Sequence, residues 1–187
     1  MEKKEIGTKY FYPMPTTLIG ANVSGKPNYL TVAFCGMVNI SPLLISVALN
    51  KAHYTNPGIK ENKTFSVNIP SVEMAKITDY CGLVSGGKVD KSKLFETFYG
   101  KLKTAPMIKE CPINMECKLV QTLELSADEV FIGEIVAAYS EDRYLTDGRP
   151  DIKKINPIVF SVLDRNYWKI GELVGPAWSI GKNFKPK

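Results

Sequence analysis

The residues most able to do chemistry lie in segment 51–62, which follows the apolar run 43–49 directly. The run predicts a buried strand, and the segment predicts a short helix with Thr55 as its N-cap and with Pro57 and Gly58 in its first turn. The first N–H groups of a helix have no partner within the helix and lie at the positive end of its dipole. The segment is therefore a candidate binding site for a phosphate group.

Other residues near this segment support more than one interpretation. Thr55 could cap the helix and have no further role. Lys88 and Lys91 lie in the polar loop 82–92, and they could bind the same phosphate only if that loop folds back onto the helix. His53 is the single histidine; we expect a structural role in the loop, with phosphate contact as the lesser alternative.

Length and composition predict one globular domain. The 187 residues are 44% hydrophobic and 23% charged, which is ordinary for such a domain. We expect residues 1–187 to form this domain, with a C-terminal tail from about residue 171. No apolar run reaches the roughly 20 residues of a membrane span, and no apolar signal core follows the charged residues 2–5, so we expect a cytoplasmic protein without a membrane partner.

Cysteine content and charge narrow the class of ligand. The four cysteines show no CxxC spacing and are accompanied by one histidine, a composition that argues against a zinc site. We expect Cys35 to be a small buried hydrophobic residue, because a reactive thiol needs exposure and a lowered pKa. The net charge of +5 is spread along the chain and favours an anionic small ligand or an acidic partner over nucleic acid.

Short strands dominate the pattern along the chain. The predicted strands span 16–23, 29–35, 43–49, 64–69, 114–125, 130–139, 158–163 and 167–170. The predicted helices span 55–62 and 71–81, with a further helical turn over 93–100. The unalternating run 43–49 suggests a strand buried on both faces. Because the strands do not alternate regularly with helices, we expect a mainly β protein with an antiparallel barrel rather than a Rossmann fold.

Six short segments, taken in their order and spacing, carry a family resemblance. They are Pro13–Pro15, Asn28–Cys35, Asn39–Pro42, His53–Ile59, Thr64–Asn68 and Ser85–Lys91. With these segments the chain resembles the flavin reductase-like family of FMN-binding split β-barrels, and within it the flavoredoxin type. The resemblance implies a Greek-key-like split barrel and a homodimer that binds FMN near the subunit interface.

The resemblance also implies which residues contact FMN. It places the ring against backbone of 32–35 and 46–49, and the phosphate and ribityl chain under the loop that begins near residue 85. The implied cofactor-binding residues are Asn28, Thr31, Val32, Ala33, Phe34, Cys35, Ser46, Val47, Ala48, Leu49, Tyr54, Thr55, Ser85, Lys88, Lys91 and Trp168, with Tyr167 as the alternative aromatic residue beside the ring.

The implied function is electron transfer, as an NAD(P)H-dependent flavin reductase or as a flavoredoxin-like carrier that exchanges electrons with a protein partner. A flavin needs orientation, hydrogen bonds and electrostatics from its protein rather than a catalytic acid or base. Backbone N–H groups of 33–35 are expected to bind the ring. The alternative is a non-catalytic barrel that binds single-stranded nucleic acid or another phosphate-bearing ligand. A third and weaker alternative is a barrel of similar shape that binds haem or a pyridoxal-type phosphate.

Overall fold

The protein, described by a computed structural model over residues 2–8, 12–182 and 184–186, is mainly β. Its strands are β1 (Met14–Pro15), β2 (Thr17–Val23), β3 (Lys26–Val32), β4 (Cys35–Asn39), β5 (Leu44–Asn50), β6 (Thr64–Ile69), β7 (Thr97–Phe98), β8 (Met107–Ile108), β9 (Ile113–Glu124), β10 (Asp128–Tyr139), β11 (Leu145–Thr146), β12 (Arg149–Pro150), β13 (Ile158–Ser161) and β14 (Asn166–Lys169). Its α-helices are α1 (Thr55–Asn62), α2 (Ala75–Leu83) and α3 (Ile152–Ile155), and 3₁₀ turns lie at Val72–Met74 and Asp142–Tyr144.

Seven strands form one antiparallel sheet in the order β3-β2-β6-β9-β10-β5-β4. The two edge strands, β3 and β4, are consecutive in the chain and are joined by Ala33 and Phe34 alone. Two residues span only about 7 Å, so the sheet must curl until its edges approach each other. This curled, incompletely closed sheet is a split barrel, and it confirms the predicted fold class.

Two apolar clusters lie on opposite faces of the curled sheet. The first includes Ile19, Val47, Phe65 and Phe131, all fully buried. The second cluster lies under α2 and the loop that follows it, and it consists of Leu18, Tyr29, Cys81, Phe95, Ile108 and Cys111. Because adjacent residues of β2 point to opposite faces, Leu18 and Ile19 belong to different clusters, and the middle of the sheet is buried on both sides.

Helix α1 has the predicted bounds and is held tightly against the barrel. A Cβ on Gly58 would lie 2.3 Å from the carbonyl oxygen of Asn22, so only glycine permits this approach of helix to strand. The buried carboxylate of Glu129 on β10 accepts hydrogen bonds from Asn56 Nδ2 at 2.8 Å and from Lys60 Nζ. The position of the first turn of α1 is thus fixed from two sides.

Several predicted elements were wrong in detail. The strand predicted over 29–35 breaks at Ala33 and Phe34, because the chain crosses there from one sheet edge to the other. Strand β5 alternates between buried and partly buried residues instead of being buried on both faces. The segment 93–100 contains strand β7 rather than a helical turn. Thr55 does not cap α1: it is the first helical residue, and its hydroxyl accepts a hydrogen bond from Asn28.

The C-terminal part adds a small three-stranded sheet in the order β1-β13-β14. This sheet brings the β13–β14 hairpin next to the end of α2, where Tyr167 donates a hydrogen bond to Asp79 at 2.9 Å. Beyond β14 the described residues form no further helix or strand. Across the described ranges, none of the helices has both the length and the apolar character that crossing a membrane would require.

Candidate functional site

The start of α1 forms the wall of a cavity of about 180 Å³, hereafter the α1 cavity. Five of the predicted site residues line it: Asn28, Tyr54, Thr55, Ser85 and Lys91. They come from β3, from the β5–α1 turn and from the loop after α2. The fold therefore brings Tyr54, Thr55 and two loop residues, which were predicted to contact the phosphate, next to Asn28, which was predicted to contact the flavin.

Backbone amides at the start of α1 remain available as donors. Among the described residues, the N–H groups of Tyr54 and Thr55 donate no hydrogen bond, whereas those of His53 and Asn56 bind the carbonyl oxygens of Asn50 and His53. The hydroxyl of Thr55 is buried and accepts from Asn28 Nδ2 at 2.9 Å. Its own proton can therefore point toward a ligand in the cavity, as can the two free amides.

The loop after α2 folds back onto the start of α1, which was the condition for a shared site. Gly86 makes this contact possible, because a Cβ at this position would lie 2.0 Å from Asn28 Oδ1 and 2.7 Å from Tyr54 Cδ1. The next residue is less tightly packed: a Cβ on Gly87 would find its nearest neighbour, Tyr54 Cδ2, at 3.4 Å. The loop thus approaches Asn28 and Tyr54 closely at one glycine.

Lys91 is almost completely buried, and its ammonium group is partly committed to the fold. It donates to the carbonyl oxygens of Tyr29 at 2.9 Å and Cys81 at 2.8 Å, which ties β3 to the end of α2. Burial lowers the pKa of this ammonium group. One of its three protons remains for a ligand in the α1 cavity.

Lys88 occupies a different position from Lys91. It is exposed and lines a neighbouring cavity of about 300 Å³, which shares Asn28, Tyr54 and Lys91 with the α1 cavity. Its side chain can therefore add positive charge at the outer side of the loop. The proposed contacts of Ser85, Lys88 and Lys91 with a phosphate remain predictions.

The break between β3 and β4 forms a second cavity of about 250 Å³, hereafter the strand-break cavity. Its predicted members are Thr31, Val32, Ala33, Phe34, Ala48 and Leu49. Among the described residues, the N–H groups of Ala33 and Phe34 donate no hydrogen bond, but that of Cys35 binds the carbonyl oxygen of Ala33 at 3.0 Å. Two of the three predicted ring-binding amides are therefore available.

Thr31 has a structural bond in addition to its place at the cavity. Its hydroxyl donates to the carbonyl oxygen of Thr78 on α2. Its acceptor lone pairs remain for a ligand. Thr31 thus connects the wall of the strand-break cavity to helix α2.

Besides Lys88, four predicted residues line neither the α1 cavity nor the strand-break cavity. Val47 is fully buried in the barrel core, and the hydroxyl of Ser46 donates to the carbonyl oxygen of Gly36 at 3.2 Å. Cys35 packs against the core, where burial raises its thiol pKa to about 12. Trp168 donates from Nε1 to Ser161 Oγ at 2.8 Å on the β13–β14 hairpin, where it is exposed. Tyr167, the alternative aromatic residue, lines a further cavity of about 640 Å³.

His53 lies where the α1 cavity and the strand-break cavity meet, because it lines both of them. Its pKa is lowered by burial and by the charge of Lys91, and the charge of Asp128 opposes this change. Sequence reasoning assigned His53 only a lesser ligand role and did not indicate Asp128 or Asn50, which also line the strand-break cavity. The position of His53 directly before Tyr54 and Thr55 could have indicated that it lines the cavity.

The described side chains offer no metal-binding cluster. Across residues 2–8, 12–182 and 184–186, no group of three or more histidine, cysteine, aspartate or glutamate side chains could hold a metal ion. The two cavities are neighbours, because His53 lines both of them. Lys91 and residues with free amides line the α1 cavity, and the strand-break cavity has mostly apolar walls. Two neighbouring cavities of these kinds suit a planar ligand that carries a phosphate tail.

Comparison with known proteins identifies the family of this chain. A flavoredoxin from Methanosarcina acetivorans is 55% identical, with a TM-score of 0.95 over 97% of this chain and 98% of that one. A flavoredoxin of Desulfovibrio vulgaris (Miyazaki F) is 34% identical, with a TM-score of 0.91 over 97% and 100%. An uncharacterised protein of Archaeoglobus fulgidus is 38% identical over 77% of this chain and 81% of its own length. The sequence profile of the flavin reductase like domain matches residues 9–154, and the chain belongs to this family.

Proposed function

We propose that this protein binds FMN and transfers electrons through it, as an NAD(P)H-dependent flavin reductase or as a flavoredoxin-like carrier. The observation that carries the proposal is that the α1 cavity and the strand-break cavity are neighbours that share His53 as a wall. Family membership indicates a flavin, and the α1 cavity indicates that this flavin has a phosphate.

The residues of the α1 cavity match the needs of a phosphate monoester. They offer the amides of Tyr54 and Thr55, the hydroxyl of Thr55 and the ammonium group of Lys91. A hydrogen bond to a charged group contributes about 1.5–3 kcal/mol. Even two such bonds would favour FMN over a flavin without phosphate by more than about 100-fold.

The strand-break cavity matches the needs of a planar ring. Its walls include the small or aliphatic residues Ala33, Ala48 and Leu49, which leave space for a ring and offer it apolar contact. The free amides of Ala33 and Phe34 can donate to ring oxygen or nitrogen atoms. Because the carbonyl oxygen of Phe34 accepts from the amide of Ala48 at 2.9 Å, the backbone that carries these donors is fixed to β5.

Bound FMN would supply reversible acceptance of a hydride or of single electrons. The chain would position it, exclude water with apolar walls and stabilise its charge with backbone donors. The described site residues include no nucleophile with a lowered thiol pKa, since burial raises the pKa of all four cysteines. This agrees with chemistry carried by the cofactor.

Purification and an anaerobic titration test the proposal. The protein should be yellow or should become so with added FMN, and NADH or NADPH should bleach the flavin if the protein is a reductase. If neither nicotinamide reduces the bound flavin but a reduced protein donor does, the protein is a carrier. A protein that stays colourless in excess FMN would refute both versions.

We further propose that two copies associate through the β4 edge. Strand β4 and the turn after it expose large apolar side chains on an unpaired edge: Met37 and Val38 are each 52% exposed and Ile40 is 88% exposed. Exposed apolar edges of this kind mark association surfaces. Ile40→Lys should shift the mass measured by light scattering from dimer to monomer, whereas Val120→Lys, at an exposed position on β9, should not. A monomeric parent protein would contradict this proposal.

Three remaining expectations are also proposals. Four free cysteines support a reducing, cytoplasmic compartment. The lysines are scattered along the sequence, which supports an anionic small ligand rather than nucleic acid. Residues 1–187 would form a single domain with a C-terminal tail from about residue 171.

A further inference from the structure

A buried carboxylate lies next to the two cavities without lining them. Glu129, at the start of β10, is 3% exposed, and it lines neither the α1 cavity nor the strand-break cavity. It lies opposite Leu49 in the register of β5 and β10, and Leu49 is a wall of the strand-break cavity. Because burial of a charge costs free energy unless the charge is paired and hydrogen-bonded, the partners of this carboxylate indicate its role.

The first partner of Glu129 is Asn56, in the first turn of α1. Asn56 Nδ2 donates to Glu129 Oε2 at 2.8 Å and to the carbonyl oxygen of Asn50 at 3.1 Å. Asn50 lines the strand-break cavity, and its carbonyl oxygen also accepts from the amide of His53 at 3.0 Å. One side chain thus joins the start of α1 to the end of β5 and to the start of β10.

The backbone of Asn56 closes the turn that carries the two free amides. Its N–H binds the carbonyl oxygen of His53 at 3.3 Å, and Tyr54 and Thr55 lie between these two residues. A distance of 3.3 Å is long for a backbone hydrogen bond, so the turn also depends on the side-chain bonds of Asn56. A rotation of α1 away from Glu129 would change the direction of the Tyr54 and Thr55 amides.

The side-chain amide of Asn56 is held in an orientation that leaves one polar atom unpaired. Both of its hydrogens are donated to acceptors, so the group cannot be reversed, and its Oδ1 is buried without a partner among the described residues. Buried polar atoms are nearly always hydrogen-bonded, and exceptions are expected at functional sites. The unpaired oxygen is the consequence of directing Nδ2 at Glu129 and Asn50.

Lys60 balances the charge of Glu129 from the solvent side. Its Nζ donates to Glu129 Oε1, and its side chain is 45% exposed, whereas that of Glu129 is 5% exposed. Burial acts to raise the pKa of Glu129, but the hydrogen bonds from Lys60 and Asn56 outweigh it and lower this pKa. Glu129 is therefore ionised at neutral pH, and a hydrogen bond to an ionised acceptor is of the stronger kind.

We propose that Glu129 is a positioning residue for the flavin site: through Asn56 it holds the start of α1 in the orientation in which the amides of Tyr54 and Thr55 bind the FMN phosphate. Glu129 would act without contacting the ligand. This role rests on the proposed function, because it requires the phosphate to bind at the start of α1. A carboxylate that acted only through its charge would repel the phosphate, whereas one that positions donors strengthens phosphate binding.

Two substitutions at Glu129 separate positioning from charge. Glu129→Met removes the acceptor, so the Kd for FMN in fluorescence titrations of the apoprotein should rise at least about tenfold, while the Kd for riboflavin changes by less than about threefold. Glu129→Gln removes the same charge but keeps an oxygen that can accept from Asn56, so its Kd for FMN should stay within about threefold of the parent value.

Two further variants serve as control and as replacement. Glu124→Gln is the matched control, because this exposed carboxylate lies opposite Glu129 in the register of β9 and β10; its Kd for FMN should stay within about threefold of the parent value. Asn56→Ala removes the bond from its other end and leaves Glu129 paired with Lys60. It should cause the same selective loss of FMN affinity, also where Glu129→Met does not fold.

Hydrogen exchange in the apoprotein tests the positioning without FMN. In Glu129→Met the amide of Asn56 should exchange at least about tenfold faster, and the amide of Val67, on the central strand β6, should accelerate less because it reports global unfolding. If the parent protein does not bind FMN more tightly than riboflavin, the proposed phosphate site fails alone. The exchange rates then still test the link between Glu129 and α1.

The contrary results are equally specific. An unchanged or lower Kd for FMN in both Glu129→Met and Asn56→Ala would overturn the proposal. Equal losses of FMN and riboflavin affinity, or equal acceleration of exchange at Asn56 and Val67, would show that Glu129 contributes only to general stability. Glu129→Gln that binds FMN as weakly as Glu129→Met would contradict the hydrogen bond to Asn56 as the link.

Discussion

Replacement of Gly86 by alanine tests the contact that closes the loop over the α1 cavity. The new Cβ would lie 2.0 Å from Asn28 Oδ1 and 2.7 Å from Tyr54 Cδ1, closer than packed atoms can approach. Asn28 is held by its bond to Thr55 at 2.9 Å, so the loop must move away. Relieving an overpacked contact costs about 1–3 kcal/mol, which corresponds to a rise in the Kd for FMN of roughly 5- to 150-fold.

Quenching of FMN fluorescence by the apoprotein measures this change directly. Gly87→Ala is the matched control: the nearest atom to its Cβ would be Tyr54 Cδ2 at 3.4 Å, an ordinary contact. Its Kd should change by less than about threefold. Urea unfolding without FMN should show that both variants are folded. Equal FMN affinity of Gly86→Ala and the parent protein, or an equal loss in Gly87→Ala, would refute the closed-loop geometry.

Three further predictions concern ionisable groups whose pKa is shifted in the folded protein. Lys91→Met should lower the free energy of unfolding in urea by about 2–4 kcal/mol even without FMN, because two carbonyl oxygens lose a charged donor. An unchanged free energy of unfolding would mean that Lys91 serves only the ligand. The pKa of His53 is lowered in the folded protein, so the unfolded state binds more protons just below pH 6.5. The free energy of unfolding should therefore decrease as the pH is lowered through that window. His53→Gln should flatten this slope, and an identical slope in both proteins would contradict the assignment. Burial raises the pKa of the four thiols, so a disulfide reagent at pH 8 should label none of them in the native protein and all of them in urea; rapid native labelling would show that a thiol is exposed.

Local sequence patterns were sufficient for the element that positions the phosphate site. Pro57 and Gly58 after an apolar run predicted α1 with its observed bounds, because these signals act within one helical turn. The same patterns could not show that Thr55 would bind Asn28 rather than cap the helix, since that bond joins residues 27 positions apart. Prediction from local signals fails where a distant partner decides the role of a side chain.

The strand-break cavity shows the other limit of sequence reasoning. The β-rich residues 29–35 look like one strand, and only the order of strands in the sheet requires a break at Ala33 and Phe34. The family resemblance places the ring against this segment, which lines a cavity, and that placement stays a prediction. It also included Val47, which alternation along β5 buries in the core. Lys91 carries no local signal of burial, because its two acceptors are far away in the sequence.

The affinity difference between FMN and riboflavin tests the proposed phosphate anchor most directly, because the two molecules differ only in the phosphate. Fluorescence titrations of the apoprotein should give a Kd for FMN at least about 100-fold below that for riboflavin. Thr55→Val, which removes one donor beside the free amides, should reduce this ratio by roughly tenfold or more. Equal affinities for FMN and riboflavin would show that the start of α1 does not bind the phosphate.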